Sequence, residues 1–91
     1  MGEITLRIVT PSGEPQAYEC DSIILTVCDD IAGKGGGSYG IRKGHAKALI
    51  ALDEGKITAS LGGSKVLSAH TSSGFAMVEN NVVTVTVENI D

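Results

Sequence analysis

Apolar and polar residues alternate from Ile4 to Thr10. A period of two is the mark of a β-strand with one buried face, here carrying Ile4, Leu6 and Ile8. Pro11-Ser12-Gly13-Glu14-Pro15 supplies turn chemistry. Tyr18 to Asp21 then reads as a short edge strand. The β-branched run Ile23 to Cys28 predicts a central strand that ends at Asp29-Asp30. Gly33 to Ser38 is too rich in glycine for regular structure and reads as a loop. Ala46 to Leu52 has helical propensity, but seven residues between glycine-containing turns suit a strand better. Asp53-Glu54-Gly55-Lys56 predicts a hairpin turn, with Ile57 to Leu61 returning alongside. Gly62-Gly63-Ser64 predicts a second tight turn, and Lys65 to His70 and Phe75 to Val78 two more strands. Asn80-Asn81 suits a turn with positive φ. The final strand, Val82 to Glu88, has Val83, Val85 and Val87 on one face and Thr84 and Thr86 on the other.

These elements predict an all-β fold: a β-sandwich of about ten short strands in two sheets, formed by residues 1–91 as a single domain. The chain has 91 residues, two tyrosines, one phenylalanine and no tryptophan, so the core must come from Ile, Val, Leu and Ala. A domain of this size buries about two-thirds of its unfolded surface, and its expected stability is about 5–10 kcal/mol.

Charge and motifs narrow the function. A net charge of −4, with seven scattered Lys and Arg residues, argues against nucleic acid as a partner. Lys47 interrupts the longest apolar segment, which is far short of the roughly 20 residues needed to span a bilayer, so no direct membrane insertion is expected. Met1-Gly2-Glu3 shows no leader pattern. A reducing compartment is therefore expected, with Cys20 and Cys28 as small core residues. Gly33-Lys34-Gly35 lacks the spacing and the following helix of a phosphate loop. Cys20, Cys28, His45 and His70 contain no close ligand pair of the kind that holds zinc. No serine sits in a nucleophile elbow. Asp29-Asp30 and Asp53-Glu54 fall beside predicted turns, where carboxylates are solvated rather than tuned for acid–base work. His45, among glycines and small apolar residues, reads as a structural or interface histidine. The residues by themselves indicate a β-sandwich with no catalytic residues, no metal, no cofactor and no small-molecule substrate.

The segment Gly37 to Ile57 adds a resemblance. Gly40-Ile41, Gly44-His45-Ala46, Leu49 and Gly55 are similar to the signature of the epsilon subunit of F-type ATP synthases, called delta in mitochondria. Ser73 to Val78, Asn80-Asn81 with the valine-rich strand, and Leu6 to Gly13 extend the match over nearly the whole chain. The resemblance implies the N-terminal β-sandwich domain of that family. It further implies a non-catalytic rotor subunit of the central stalk, which links the gamma subunit to the c-ring and couples ion flow to ATP synthesis. The expected location is peripheral, at the cytoplasmic face of a bacterial plasma membrane. Carried over by position, Ser38, Tyr39 and Gly40 match the ring-contacting stretch, and His45 and Ala46 match a region near gamma. Ile41, Arg42 and Gly44 complete the expected partner surface.

Three departures accompany this match. The loop from Cys28 to Gly40 is long and glycine-rich, Lys43 stands where proline is common, and Ser38 stands where an acidic residue is common. The chain also ends at Asn89-Ile90-Asp91, where the family's C-terminal helical hairpin begins. That hairpin is expected to be absent, along with its inhibitory insertion and its ATP site. The rival reading is a free-standing β-sandwich module that binds a ligand or another protein.

Overall fold

The computed structural model of the chain describes residues 3–11, 13–26 and 37–90. Cys28, Asp29-Asp30 and the glycine run from Gly33 to Gly36 lie outside the described residues. Nine strands are present among those described: β1 (Ile4–Val9), β2 (Gln16–Cys20), β3 (Ser22–Thr26), β4 (Ser38–Arg42), β5 (Ala48–Leu52), β6 (Gly55–Leu61), β7 (Ser64–Thr71), β8 (Gly74–Glu79) and β9 (Val82–Val87). They form two sheets, ordered β2-β1-β9-β8-β5 and β4-β3-β6-β7. β1 and β9 pair in parallel, and the other pairs are antiparallel.

Alternation places the core where the sequence pattern puts it. Ile4, Leu6 and Ile8 of β1 and Val83, Val85 and Val87 of β9 turn inward from the larger sheet. Ile23 and Leu25 of β3, with Ile57 and Ala59 of β6, meet them from the smaller sheet. Cys20 lies in the same core at zero exposure, with its thiol 3.7 Å from the Ile4 carbonyl. Burial pushes this thiol's pKa up, and the Asp21 and Glu19 carboxylates push it the same way.

The chain combines hairpins with crossings from sheet to sheet. β6–β7 turns on Gly62 and Gly63 at φ 60° and 83°, and β8–β9 on Asn80 and Asn81 at 52° and 62°. Both are two-residue loops with positive φ at each central position, as a type I′ turn requires. Crossings follow β2, β4, β5 and β7.

Two expectations are corrected. Asp53 to Lys56 is not a hairpin turn: β5 pairs with β8, whereas β6 pairs with β3 and β7. The segment carries the chain between sheets, so that Leu52 and Ile57 enter the core from opposite sides. The Asp53 N–H donates to the Thr26 carbonyl at 3.2 Å, and the Glu54 N–H to Asp53 Oδ1 at 2.8 Å. Gly55 serves close packing rather than a turn, since a Cβ there would lie 2.8 Å from the Thr26 side chain.

The second correction concerns Ser38, which begins strand β4 rather than belonging to a loop. In β4, Tyr39 and Ile41 face inward, and Ser38, Gly40 and Arg42 face outward. Gly40, a weak strand former at the centre of a five-residue element, obscured that alternation.

Candidate functional site: an arch and an apolar sheet face

The residues singled out from the sequence gather at one side of the sandwich. Ser38 to Arg42 form edge strand β4 of the smaller sheet. Gly44, His45 and Ala46 lie in an arch, residues 43–47, that crosses to β5, the edge strand of the larger sheet. Ile41 is part of the core at 1% exposure, so its side chain faces no external partner.

Hydrogen bonds hold the arch. The His45 N–H donates to the Arg42 carbonyl at 3.2 Å. The Gly44 N–H donates to Asn81 Oδ1 at 2.9 Å. The His45 ring has both nitrogens engaged: Nδ1 lies 2.7 Å from the Ala46 carbonyl and Nε2 lies 2.8 Å from the Tyr39 hydroxyl. The two rings meet edge to face, with centroids 5.5 Å apart. Lys43 reaches Glu3 at 3.4 Å and Lys47 reaches Glu79 at 3.5 Å, both on the surface.

Next to the arch, the outer face of the larger sheet turns apolar. Strand register places its outward residues in rows. Glu19, Thr5, Val82 and Glu79 form a row that is polar except for half-buried Val82. Beside it run Ala17, Arg7, Thr84, Met77 and Leu49. The last row is Val9, Thr86, Phe75 and Ala51. Leu49 is 67% exposed, Phe75 47% and Met77 42%. Three large apolar side chains clustered on two adjacent strands form a surface of the kind that marks an interaction site. The sequence reading did not identify this cluster. The period-two pattern that buries Ala76 and Val78 also turns Phe75 and Met77 outward, and that signal was available.

At the other end of the arch an open cleft of about 480 Å³ is lined by Glu3, Asp21, Ser22, Arg42, Lys43 and Ser60, among others. Its carboxylates are engaged: Glu3 with Lys43, and Asp21 Oδ2 with the Gly62 N–H at 2.9 Å. Among the described residues no group of three His, Cys, Asp or Glu side chains is placed to hold a metal ion.

Residues 3–91 match the family model of the ATP synthase delta/epsilon chain, β-sandwich domain. The chain belongs to this family. Two solved structures share the fold of this delta/epsilon-family sandwich. One is a chain in the mitochondrial ATP synthase of Euglena gracilis, in an assembly of OSCP, F1 and c-ring; the TM-score is 0.77 at 21% identity, over 97% of this chain and 52% of that one. The other is a chain in the central stalk/c-ring of the Tetrahymena thermophila mitochondrial ATP synthase; the TM-score is 0.71 at 14% identity, over 98% of this chain and 66% of that one. The delta/epsilon-family sandwich thus spans about half the length of the first and 66% of the second. No curated protein matches the chain.

Proposed function

We propose that the chain is a non-catalytic central-stalk subunit of an F-type ATP synthase, joining the gamma subunit to the c-ring so that ion flow and ATP synthesis are coupled by rotation. Family membership supports this reading, as does the fold shared with chains from an F1/c-ring assembly and from a central stalk/c-ring assembly. In such a role the chain works by shape and contact, and the chemistry of ATP belongs to other subunits. Its location is peripheral to the coupling membrane, held there through the complex. By the family resemblance that is the cytoplasmic face of a bacterial plasma membrane.

The observation that carries the proposal is the apolar outer face around Leu49, Phe75 and Met77, open to solvent beside the arch. Burying such a face on a partner is favourable by about 25 cal/mol per Å² of apolar surface, before the costs of association. Gamma is the partner assigned to this face and to Gly44, His45 and Ala46 in the arch. The c-ring is assigned to Ser38 and Gly40, with Arg42 at the end of the same strand; Tyr39, expected in this contact, faces inward and acts only through His45. A Cβ at Gly40 or Gly44 would meet nothing within 4 Å, which leaves room there for close approach by another chain.

The test is titration of the chain with the gamma subunit. Binding is expected for the natural chain. A chain carrying Leu49→Arg with Met77→Arg should lose at least about 100-fold in affinity while remaining folded. No binding by the natural chain, or undiminished binding by the double variant, would overturn the assignment. The rival reading, a free-standing ligand-binding module, depends on the cleft at Arg42. The carboxylates there are already engaged within the chain, and this favours the stalk role.

A further inference from the structure

The arch of residues 43–47 is exposed at the surface, yet contacts from several elements hold it, among them the surface ion pair of Lys47 with Glu79 of β8. Tyr39 comes from β4, Asn81 from the β8–β9 turn, and Glu3 from the residue preceding β1. The contact at Nδ1 decides the state of the His45 ring. A carbonyl oxygen can only accept, so Nδ1, 2.7 Å from the Ala46 oxygen, carries a hydrogen. In the neutral ring Nε2 is then the acceptor, and the Tyr39 hydroxyl donates to it across 2.8 Å. Tautomer and ring direction are thereby set together.

Asn81 is itself held in place. Its φ is 62°, and its carbonyl accepts from the Thr5 N–H at 3.0 Å. Its amide oxygen therefore presents to Gly44 from a backbone anchored on β1. Gly44, at φ 82°, adopts a conformation that costs glycine little.

We infer that Tyr39 and Asn81 are positioning residues that hold the arch in its docking shape before any partner arrives. The inference rests on the proposal that Gly44, His45 and Ala46 face gamma. An arch already ordered spares the complex the loss of loop and side-chain freedom that binding would otherwise impose. Tyr39 faces inward along β4, so its part in docking is to aim His45.

The experiment pairs two measurements on the full chain. Nitrogen-15 NMR reads the His45 tautomer and the backbone order of residues 43–47, and titration with the gamma subunit reads affinity. The natural chain should show a hydrogen on Nδ1 and order parameters in the arch close to those of the strands. Tyr39→Phe removes the contact that holds the ring direction, so the ring can turn away from the Ala46 carbonyl and should give a mixture of tautomers. Asn81→Gly, which keeps access to positive φ and removes only the amide, should lower the order at residues 43–47. Each should reduce gamma affinity by about 5- to 10-fold, and Asn81→Asp, which retains an acceptor oxygen, should restore it.

An unchanged tautomer in Tyr39→Phe together with an equally ordered arch in Asn81→Gly would overturn the inference. So would affinity that merely follows melting temperature across all three variants, with no rescue by Asn81→Asp. Failure of the natural chain to bind gamma would instead sink the docking proposal, and the NMR spectra would then decide the lock alone.

Discussion

The two outer faces of the sandwich arise from the same alternation, but only on the larger sheet do the exposed large apolar side chains cluster. On the smaller sheet the outward residues are Ser22 and Thr26 of β3, Ser38, Gly40 and Arg42 of β4, Lys56, Thr58 and Ser60 of β6, and Ser68 and His70 of β7, with Ile24 and Val66 as apolar exceptions set apart from each other by polar neighbours. On the larger sheet Leu49, Met77 and Phe75 stand together, flanked by the threonines of β9. A period of two requires only that one face of each strand be apolar. The residue types on the opposite face then report whether water or another protein covers it. In this chain the larger sheet's outer face carries the clustered apolar residues, and the proposed role assigns that face to gamma.

The largest effects should fall on the inner faces, to which both sheets contribute core residues. Leu6→Ala in the larger sheet and Leu25→Ala in the smaller should each lower unfolding free energy by about 2–5 kcal/mol in urea titrations. A loss below about 1 kcal/mol at either site would show that its sheet does not contribute a true core face.

The outer faces should then separate in binding. Phe75→Arg is expected to weaken gamma binding by about 10-fold or more, whereas Thr58→Arg on the other sheet should change it by less than about twofold. Neither should alter stability by much more than about 0.5 kcal/mol. Equal losses from both would remove the distinction between the faces.

The two sheet crossings at this side should differ in the cause of their sensitivity. Gly55→Ala forces a Cβ against the Thr26 side chain and should cost about 1–3 kcal/mol. Gly44→Ala meets open space but keeps φ at 82°, so backbone strain alone should cost about 1–2 kcal/mol. Thermal unfolding of the two variants in a Thr26→Gly background separates the causes, because removing the Cβ together with both γ atoms should relieve Gly55→Ala and leave Gly44→Ala unchanged.

The smallest effect concerns Cys20. Its pKa is raised in the folded chain, so the folded state keeps a proton that the unfolded state releases. The stabilising contribution is full below the ordinary thiol value and declines as pH rises above it. Unfolding free energy should therefore fall with rising alkalinity in a Cys28→Ser chain, and Cys20→Ala should flatten that slope. An identical slope in both chains would assign the pH dependence to other groups.

Much of this was legible in local pattern. The alternations in β1 and β9 named Ile4, Leu6, Ile8, Val83, Val85 and Val87 as core, and the paired glycines and paired asparagines marked two turns at the correct positions. These features depend on residues one or two apart, within reach of steric and periodic rules. The candidate site was legible only in part. Gly44, His45 and Ala46 were picked out by resemblance, while the Asn81 contact that holds Gly44 spans 37 positions.

Tertiary structure alone decided which sheet each strand joined. Asp53 to Lys56 has the composition of a hairpin, but Leu52 and Ile57 had to reach one core from opposite layers, and only packing can impose that. Tyr39 and His45 meet because β4 and the arch are folded together at the sandwich edge. Leu49, Phe75 and Met77 form one patch because β5 and β8 pair in a particular register. Periodicity within a strand sets which face is buried; the relative placement of strands, settled by the shared core, sets which exposed residues become neighbours.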